Sequence, residues 1–460
     1  MNAGYPLNRF ERLMSLFTRV QPGEGRCIAI LSLQACALMM AWYLIRPVRE
    51  ALILTEGGAE FRSYAVAVQA ILLIAIIPIY GVLVRGMDSN RVYQRVNAFF
   101  VCNLLVFCLL CQAGFAIGFV FFVWASLFGV MALTQFWAFA TDLFDVKSGQ
   151  RLFGLIAIGV SGGALIGSRI AAALFDSLGS PGLMLVSAAA LVVAIALSGR
   201  ARVSVPLTDR SADAAAAHAT DTGTEGAGRW LGGFMLIGRS RYLAGIAALV
   251  VLLNWITTTG DFVLSSWLVE NAQRESPADP GAYIGRFMGE YCSFITLIAL
   301  LVQLLLVSRI IEFAGMARAL VVTPLAFVAG YLLVGIVPLF LMLQAVLVVQ
   351  RSFDYSLLST TRNALLLPTS RAAKYQAKTA IDTFFYRLGD LLSSASVYVG
   401  VRWFDDERLQ FLWLILVLSV TMTIVAWLVG REYARRTGGS PLPVGDGGLV
   451  RGRSRTILFQ

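Results

Sequence analysis

The sequence predicts an all-α membrane protein of twelve transmembrane helices arranged as two six-helix halves. Three observations predict it. Hydrophobic residues make up 58% of the chain against 14% charged, and the mean hydropathy of +0.75 over 460 residues exceeds that of soluble domains. Apolar runs of 18 to 28 residues, each long enough to cross hydrocarbon, recur twelve times. A polar interval of about 40 residues separates the sixth run from the seventh.

Residues 1–26 form a cytoplasmic N-terminal segment. Within it NRFERLMSLFTRV (8–20) sets Phe10, Leu13, Met14 and Phe17 on one helical face and Arg9, Arg12 and Arg19 elsewhere, the pattern of an interfacial helix. No small-residue cleavage site follows the first apolar run, so that run is a retained span. The N-terminal half (27–198) carries spans at 27–50, 64–84, 97–115, 117–141, 151–175 and 181–198. A cytoplasmic linker (199–241) follows, whose AHATDTGTEGAG stretch is too small and polar to pack. The C-terminal half (242–430) carries spans at 242–268, 282–307, 317–337, 338–361, 374–401 and 409–430, and 431–460 is a disordered cytoplasmic tail. Six spans, a long linker and six more spans describe a parallel-repeat, major facilitator-like transporter with its site at the midplane between halves. The basic loops Gly81–Arg91 and Ser308–Arg318, each after the second span of its half, echo one another.

Orientation follows from the cations. With the N-terminus inside, 27 Lys and Arg fall to the cytoplasmic side and 7 outside, while Arg169, Arg351 and Arg387 lie within spans. Both termini are therefore placed in the cytoplasm. The pI of about 9.5 reports this bias and anionic lipid, so no nucleic-acid partner is expected. The six cysteines lie in or beside apolar runs and imply no disulfide framework.

Ionisable residues inside spans are costly, on the order of 3 kcal/mol, and mark a polar pathway. The eleventh span alone carries Lys378, Asp382, Arg387 and Asp390. Helix spacing suggests five neutralising pairs: Arg46 with Glu50, Arg286 with Glu290, Lys378 with Asp382, Arg351 with Asp354 and Arg387 with Asp390. Such pairs either latch helices or serve as gates. Among groups able to reach a central cavity, the cations Arg46, Arg49, Arg169, Arg286, Arg351, Arg362, Lys378 and Arg387 outnumber the acids Glu50, Asp261, Glu290, Asp354, Asp382 and Asp390 by two. That excess favours an anionic substrate.

Two of these residues stand apart. Asp261 has no basic residue within four positions, and Asn254, Thr257, Thr258, Thr259 and Gly260 predict a broken seventh span; the acid either carries a coupling proton or partners Arg169 or Arg49. Arg169 follows a face of Gly159, Gly163 and Gly167 suited to close helix packing, and its counter-ion must come from another helix, with Asp261 and Asp390 the first choices, or from a ligand.

The run Leu44-Ile-Arg46-Pro-Val-Arg49-Glu50-Ala-Leu52, with Phe136-Trp-Ala-Phe-Ala-Thr-Asp142-Leu-Phe-Asp145 and Arg151-Leu-Phe-Gly154, resembles the ATP/ADP translocase family of plastids and intracellular bacteria. Phe287-Met-Gly-Glu290, Thr361-Arg362-Asn-Ala-Leu-Leu-Leu-Pro368 and Ala377-Lys378-Thr-Ala-Ile-Asp382 leading to Arg387-Leu-Gly389 continue the resemblance in order. It implies a major-facilitator-like nucleotide transporter in which Arg49, Arg362 and Lys378 contact phosphates and Asp261 is the acid of span seven. Trp124–Gln135 lacks the glutamate of the exchangers, and Arg362-Asn363 stands for their usual Lys-Glu. The resemblance thus implies the fold and an anion-binding cavity, as in a free-living bacterial relative, without strict ATP-for-ADP exchange.

The expected function is secondary transport of an organic anion, a nucleotide or another phosphorylated or carboxylated metabolite, by antiport or proton coupling. A transporter-derived sensor or assembly partner is the other class. Arg46, Arg49, Arg169, Arg351, Arg362, Lys378 and Arg387 are the candidate substrate contacts; Glu50, Asp261, Glu290, Asp354, Asp382 and Asp390 are the candidate coupling or gating acids. A monomer in the lipid bilayer is expected, with no cofactor or metal. An enzyme is not: the single histidine, His218, lies in the linker, and there is no phosphate loop.

Overall fold

A hydrocarbon environment leaves backbone amides no partner but each other, so a chain of apolar runs folds into helices and packs them. The computed structural model describes residues 24–83, 87–144, 146–203, 226–370, 376–403 and 407–437, and these are helical apart from short connections. The predicted interfacial helix, Arg85, Lys374 and most of the linker and tail lie outside the described residues. Eight helices are long and apolar enough to cross a membrane. Two of them, Glu24–Leu83 and Val146–Val203, are each two crossings joined at one residue, Gly58 (φ 69°) and Gly179 (φ 61°). Positive φ is nearly free only for glycine, which is why the reversals fall there. Two further crossings, 340–365 and 376–403, are interrupted by π-helical turns at Asp354–Leu358 and Ile381–Phe385. Twelve crossings result.

Several boundaries differ from the sequence expectation. The first span runs on to Gly57 and the second begins at 59, so the 51–63 stretch is helix and not an outer loop. Span seven is unbroken from Arg241 to Glu275. Its polar side chains are satisfied laterally: Asn254 and Thr258 donate to Asp390 of span eleven, and Thr259 donates to its own helix at Trp255 O. The linker is not wholly unpacked, since Gly226–Arg239 forms a helix whose Gly232 and Gly233 lie against Gln376. Span twelve continues as helix to Arg436, into the predicted tail.

Each half has its own apolar core, the first built on a stack of Phe100, Phe107, Phe121, Trp124 and Phe128. The glycine face of span five does what small residues do: Gly159, Gly163 and Gly167 bring it against the backbone of span one. The halves close on each other at the end carrying Gly58 and Gly179. There Ser394 Oγ donates to Ser63 O at 2.9 Å, Tyr64 and Tyr398 rings lie 6.3 Å apart, and Gly289 meets the backbone of Ala172.

A β-carbon on Gly163 would stand 2.2 Å from Cys36 O, whereas one on Gly162 would meet nothing within 4 Å. Gly163→Ala is therefore expected to lower stability by about 1–3 kcal/mol. Gly162→Ala should raise it by up to about 1 kcal/mol through helix propensity. Thermal unfolding of the two purified variants, which should move in opposite directions, checks this.

Candidate anion site

The Gly58 reversal delivers span two beside span one, and with it Arg62, which folds back to Glu50. Glu50 is 2% exposed and accepts from Arg49 at 2.7 Å and from Arg62 Nε at 2.5 Å. From the other half Asp261 accepts from Arg351 at 2.5 Å and lies 3.7 Å from Arg62. Arg46 completes the cluster; its guanidinium lies over the Tyr43 ring at 5.3 Å, with no ion pair or hydrogen bond to an acid among the described residues. Four guanidiniums thus surround two carboxylates, an excess of two positive charges in a bundle interior. Phe122 lies 4.4 Å from Arg49 and 5.7 Å from Arg62, and Ser126 accepts from Arg49 at 3.1 Å. Tyr291, Cys292 and Tyr355 line the remaining wall. The cavity between these groups measures about 30 Å³, room for a water molecule or two. In this state Arg49, Arg62 and Arg351 are held by the protein's own acids, and Arg46 by a ring face.

Arg62 is the residue that sequence reading missed. Span two was expected to begin at 64; the reversal signal Gly57-Gly58 was in the sequence and moves the helix start to 59, inside which Arg62 falls. Ser126 gave no signal of its own.

The other predicted residues separate into three places. Arg387 bonds Asp390 at 3.0 Å, and Asp390 also accepts from Asn254 at 2.7 Å and Thr258 at 2.9 Å, a closed network tying span seven to span eleven. Lys378, which is exposed, donates to the exposed Asn363 at 3.0 Å; Arg362 is the residue before Asn363 in span ten. Arg169, Arg286 and Glu290 lie exposed along the seam of spans five and eight.

Of the five in-helix pairs expected, only that of Arg387 and Asp390 forms. Glu50 takes Arg62 and the adjacent Arg49 instead of Arg46. Arg286 bonds Asp176 across the seam at 2.9 Å, leaving Glu290 exposed. Lys378 and Asp382 do not pair, because the chain widens into a π-turn from Ile381 and positions four apart no longer stack. Arg351 turns to Asp261, leaving Asp354, the first residue of the other π-turn, without hydrogen bond or ion pair among the described residues. Arg169 meets neither Asp261 nor Asp390, which are taken by other arginines; it lies over the Phe294 ring at 5.6 Å.

Residues 115–338 match the model of a known family, described as TLC ATP/ADP transporter. The resemblance is to a TLC ATP/ADP transporter. The matched stretch runs from the fourth span to the ninth and includes Asp261, while Arg46 to Arg62 and Arg351 lie outside it. No curated protein matches the chain. Among solved structures it is similar to a POT family transporter in complex with 5-aminolevulinic acid, at 14% identity and TM-score 0.61, over 90% of this chain and 97% of that one. The nucleoside transporter NupG aligns at 13% identity and TM-score 0.59, over 88% and 99%. A bacterial homolog of the human lysosomal transporter Spinster, in its inward-facing and unoccupied conformation, aligns at 13% and 0.59, over 91% and 99%. Such identities speak for the fold alone: it is the twelve-span, two-half fold of major-facilitator transporters. The matched family model is one of transporters, and the solved structures that share the fold are transporters.

Removing the acid from a buried pair strands its cations, which costs about 3–5 kcal/mol, while an exposed pair contributes about 1 kcal/mol at most. Glu50→Gln should therefore destabilise the protein far more than Asp176→Asn, whose partner Arg286 is 47% exposed. Chemical denaturation of the two variants in one detergent measures the difference.

Proposed function

We propose that the protein is a secondary transporter of an organic anion, a nucleotide or another phosphorylated or carboxylated metabolite. It works across the bacterial inner membrane by alternating access, with both termini in the cytoplasm. The observation that carries this reading is the arginine cluster at the junction of the halves: its excess of two positive charges is met by ring faces and by internal carboxylates, not by an equal number of acids. An anionic substrate supplies Arg46 with the counter-charge it lacks and does for Arg351 what Asp261 does in its absence. Guanidinium forks suit phosphate and carboxylate oxygens, and the aromatic wall of Trp42, Tyr43 and Phe122 suits an organic remainder. Lys378 and Arg362, grouped around Asn363, supply a second basic point for a substrate long enough to carry charge at one end.

The family match supports a nucleotide among the candidates. Exchange of anion for anion follows if the cluster's arginines must always be occupied. Proton coupling follows if a neighbouring acid changes charge instead.

A thermal-shift screen of the purified protein against ATP, ADP, inorganic phosphate and dicarboxylates tests the reading, since a ligand at about 100 times its Kd stabilises by about 2.7 kcal/mol. Arg46→Ala is expected to weaken binding of whichever anion scores at least tenfold, about 1.4 kcal/mol. Arg274→Ala, far out on an exposed helix end, should leave binding unchanged. If no anion stabilises the wild-type protein, the reading fails.

A further inference from the structure

Most intramembrane acids of this chain are accounted for by position. Glu50 is held by Arg49 and Arg62, Asp261 by Arg351 and Arg62, and Asp390 by Arg387 with two neutral donors. Asp382 and Glu290 are exposed. Asp354 is different: it is half-buried, and among the described residues it accepts no hydrogen bond and has no cation within ion-pair distance. It also begins the π-turn Asp354–Leu358, a widened helical turn of the kind found at functional positions.

Its surroundings fix what its charge would do. On its own span Arg351 lies three residues before it and Arg362 eight after it, and both act on it electrostatically. Span eleven presents Tyr386, and span eight presents Tyr291 and Cys292 to the cavity that Arg351 and Tyr355 line. Span nine presents Tyr331, whose hydroxyl is engaged by Gln350 at 2.6 Å. Beyond Arg351 stands Arg46. Of the two guanidiniums that act on Asp354, that of Arg351, three residues away on the same helix, is bound to Asp261.

We propose that Asp354 is a proton-binding site that couples a proton to the anion, an inference that rests on the transporter reading above. A carboxylate in a partly desolvated site with no partner lowers its free energy by taking a proton from cavity water, becoming a neutral acid. In that form it leaves Arg351 and Arg362 to the substrate. When the proton returns to water, Asp354 becomes a second anion three residues from Arg351, able to take the guanidinium back on its own helix and to drive the substrate's anionic group off. Asp261 and Asp354 are thus two seats for one arginine, on different spans, and the proton decides whether the second seat competes.

The test uses the full-length protein in lipid. Infrared difference spectra across a pH titration should show a protonated-carboxyl band in the wild type that is missing in Asp354→Asn and kept in Asp261→Asn. A band that survives in Asp354→Asn, or a wild type that has none, overturns the proposal. Calorimetric binding of ADP and inorganic phosphate on either side of neutrality gives the coupling: wild-type affinity for the probe that binds should fall by up to about tenfold per pH unit as pH rises, and Asp354→Asn should be flat. Persistent pH dependence in that variant overturns the proton site and leaves the transporter reading standing. Loss of the band in Asp354→Asn alone, with ATP, ADP, inorganic phosphate and dicarboxylates all left unbound by the wild type, keeps the proton site and removes the organic-anion reading.

Discussion

Arg62 reaches two carboxylates that belong to opposite halves of the molecule, Glu50 at 2.5 Å and Asp261 at 3.7 Å. Everything else around the site is arranged by that bridge. A guanidinium in a bundle interior is tolerated only when its charge is met, and each carboxylate that meets it is itself intolerable without a cation. Taking one group away therefore strands its neighbours. The chain of contacts from Arg49 through Glu50, Arg62 and Asp261 to Arg351 is one electrostatic unit spanning spans one, two, seven and ten. It can only be opened by supplying another anion or another cation.

That constraint explains why the halves meet where they do. The bridge lies toward the Gly58 end, where spans two and eleven and spans five and eight also touch through Ser63, Ser394, Ala172 and Gly289. These other contacts are small residues and single hydrogen bonds, each contributing on the order of 1 kcal/mol. They shape the closure without fixing it. The ion pairs hold it, and a cavity of about 30 Å³ is what remains once they do. An anion entering this cavity would compete with Glu50 and Asp261 for the same guanidiniums.

The fold was legible in the sequence because hydrocarbon imposes length and apolarity on every span, and those are one-dimensional properties. The small-residue face at Gly159, Gly163 and Gly167 was legible for a similar reason, since spacing alone dictates a shared side. Charge pairing was not. Spacing of three or four residues offered Arg351 to Asp354 and Arg286 to Glu290, yet Arg351 chose Asp261 and Arg286 chose Asp176, both on other helices. A pair within one helix is worth a few tenths of a kcal/mol, and a buried partner across helices outweighs it. Arg62 was missed because a polar stretch, Glu56 to Ser63, reads as a loop until the Gly57-Gly58 reversal is given its place. The helical break was expected in span seven and occurs in spans ten and eleven: the polar run of span seven finds its partners on span eleven, and no backbone group needs to be freed.

Those two π-turns bear on how the molecule moves. Span seven and the upper part of span eleven are tied by the Asp390 network and by Gly389, whose Cα approaches the backbone of Val251 and Trp255 closely enough to exclude a side chain. They must travel together. Below that tie, span eleven widens at Ile381–Phe385, and span ten widens at Asp354–Leu358, so both helices have a turn in which hydrogen bonds can shift register between i+4 and i+5 without breaking the helix. Lys378 sits on the far side of one such turn, Arg362 on the far side of the other. A shift in either turn moves these basic groups relative to Arg351 and Asp261 while the latch above stays packed. The basic groups of Lys378 and Arg362 and the charges that hold the halves together are thereby joined through turns whose hydrogen bonding can shift.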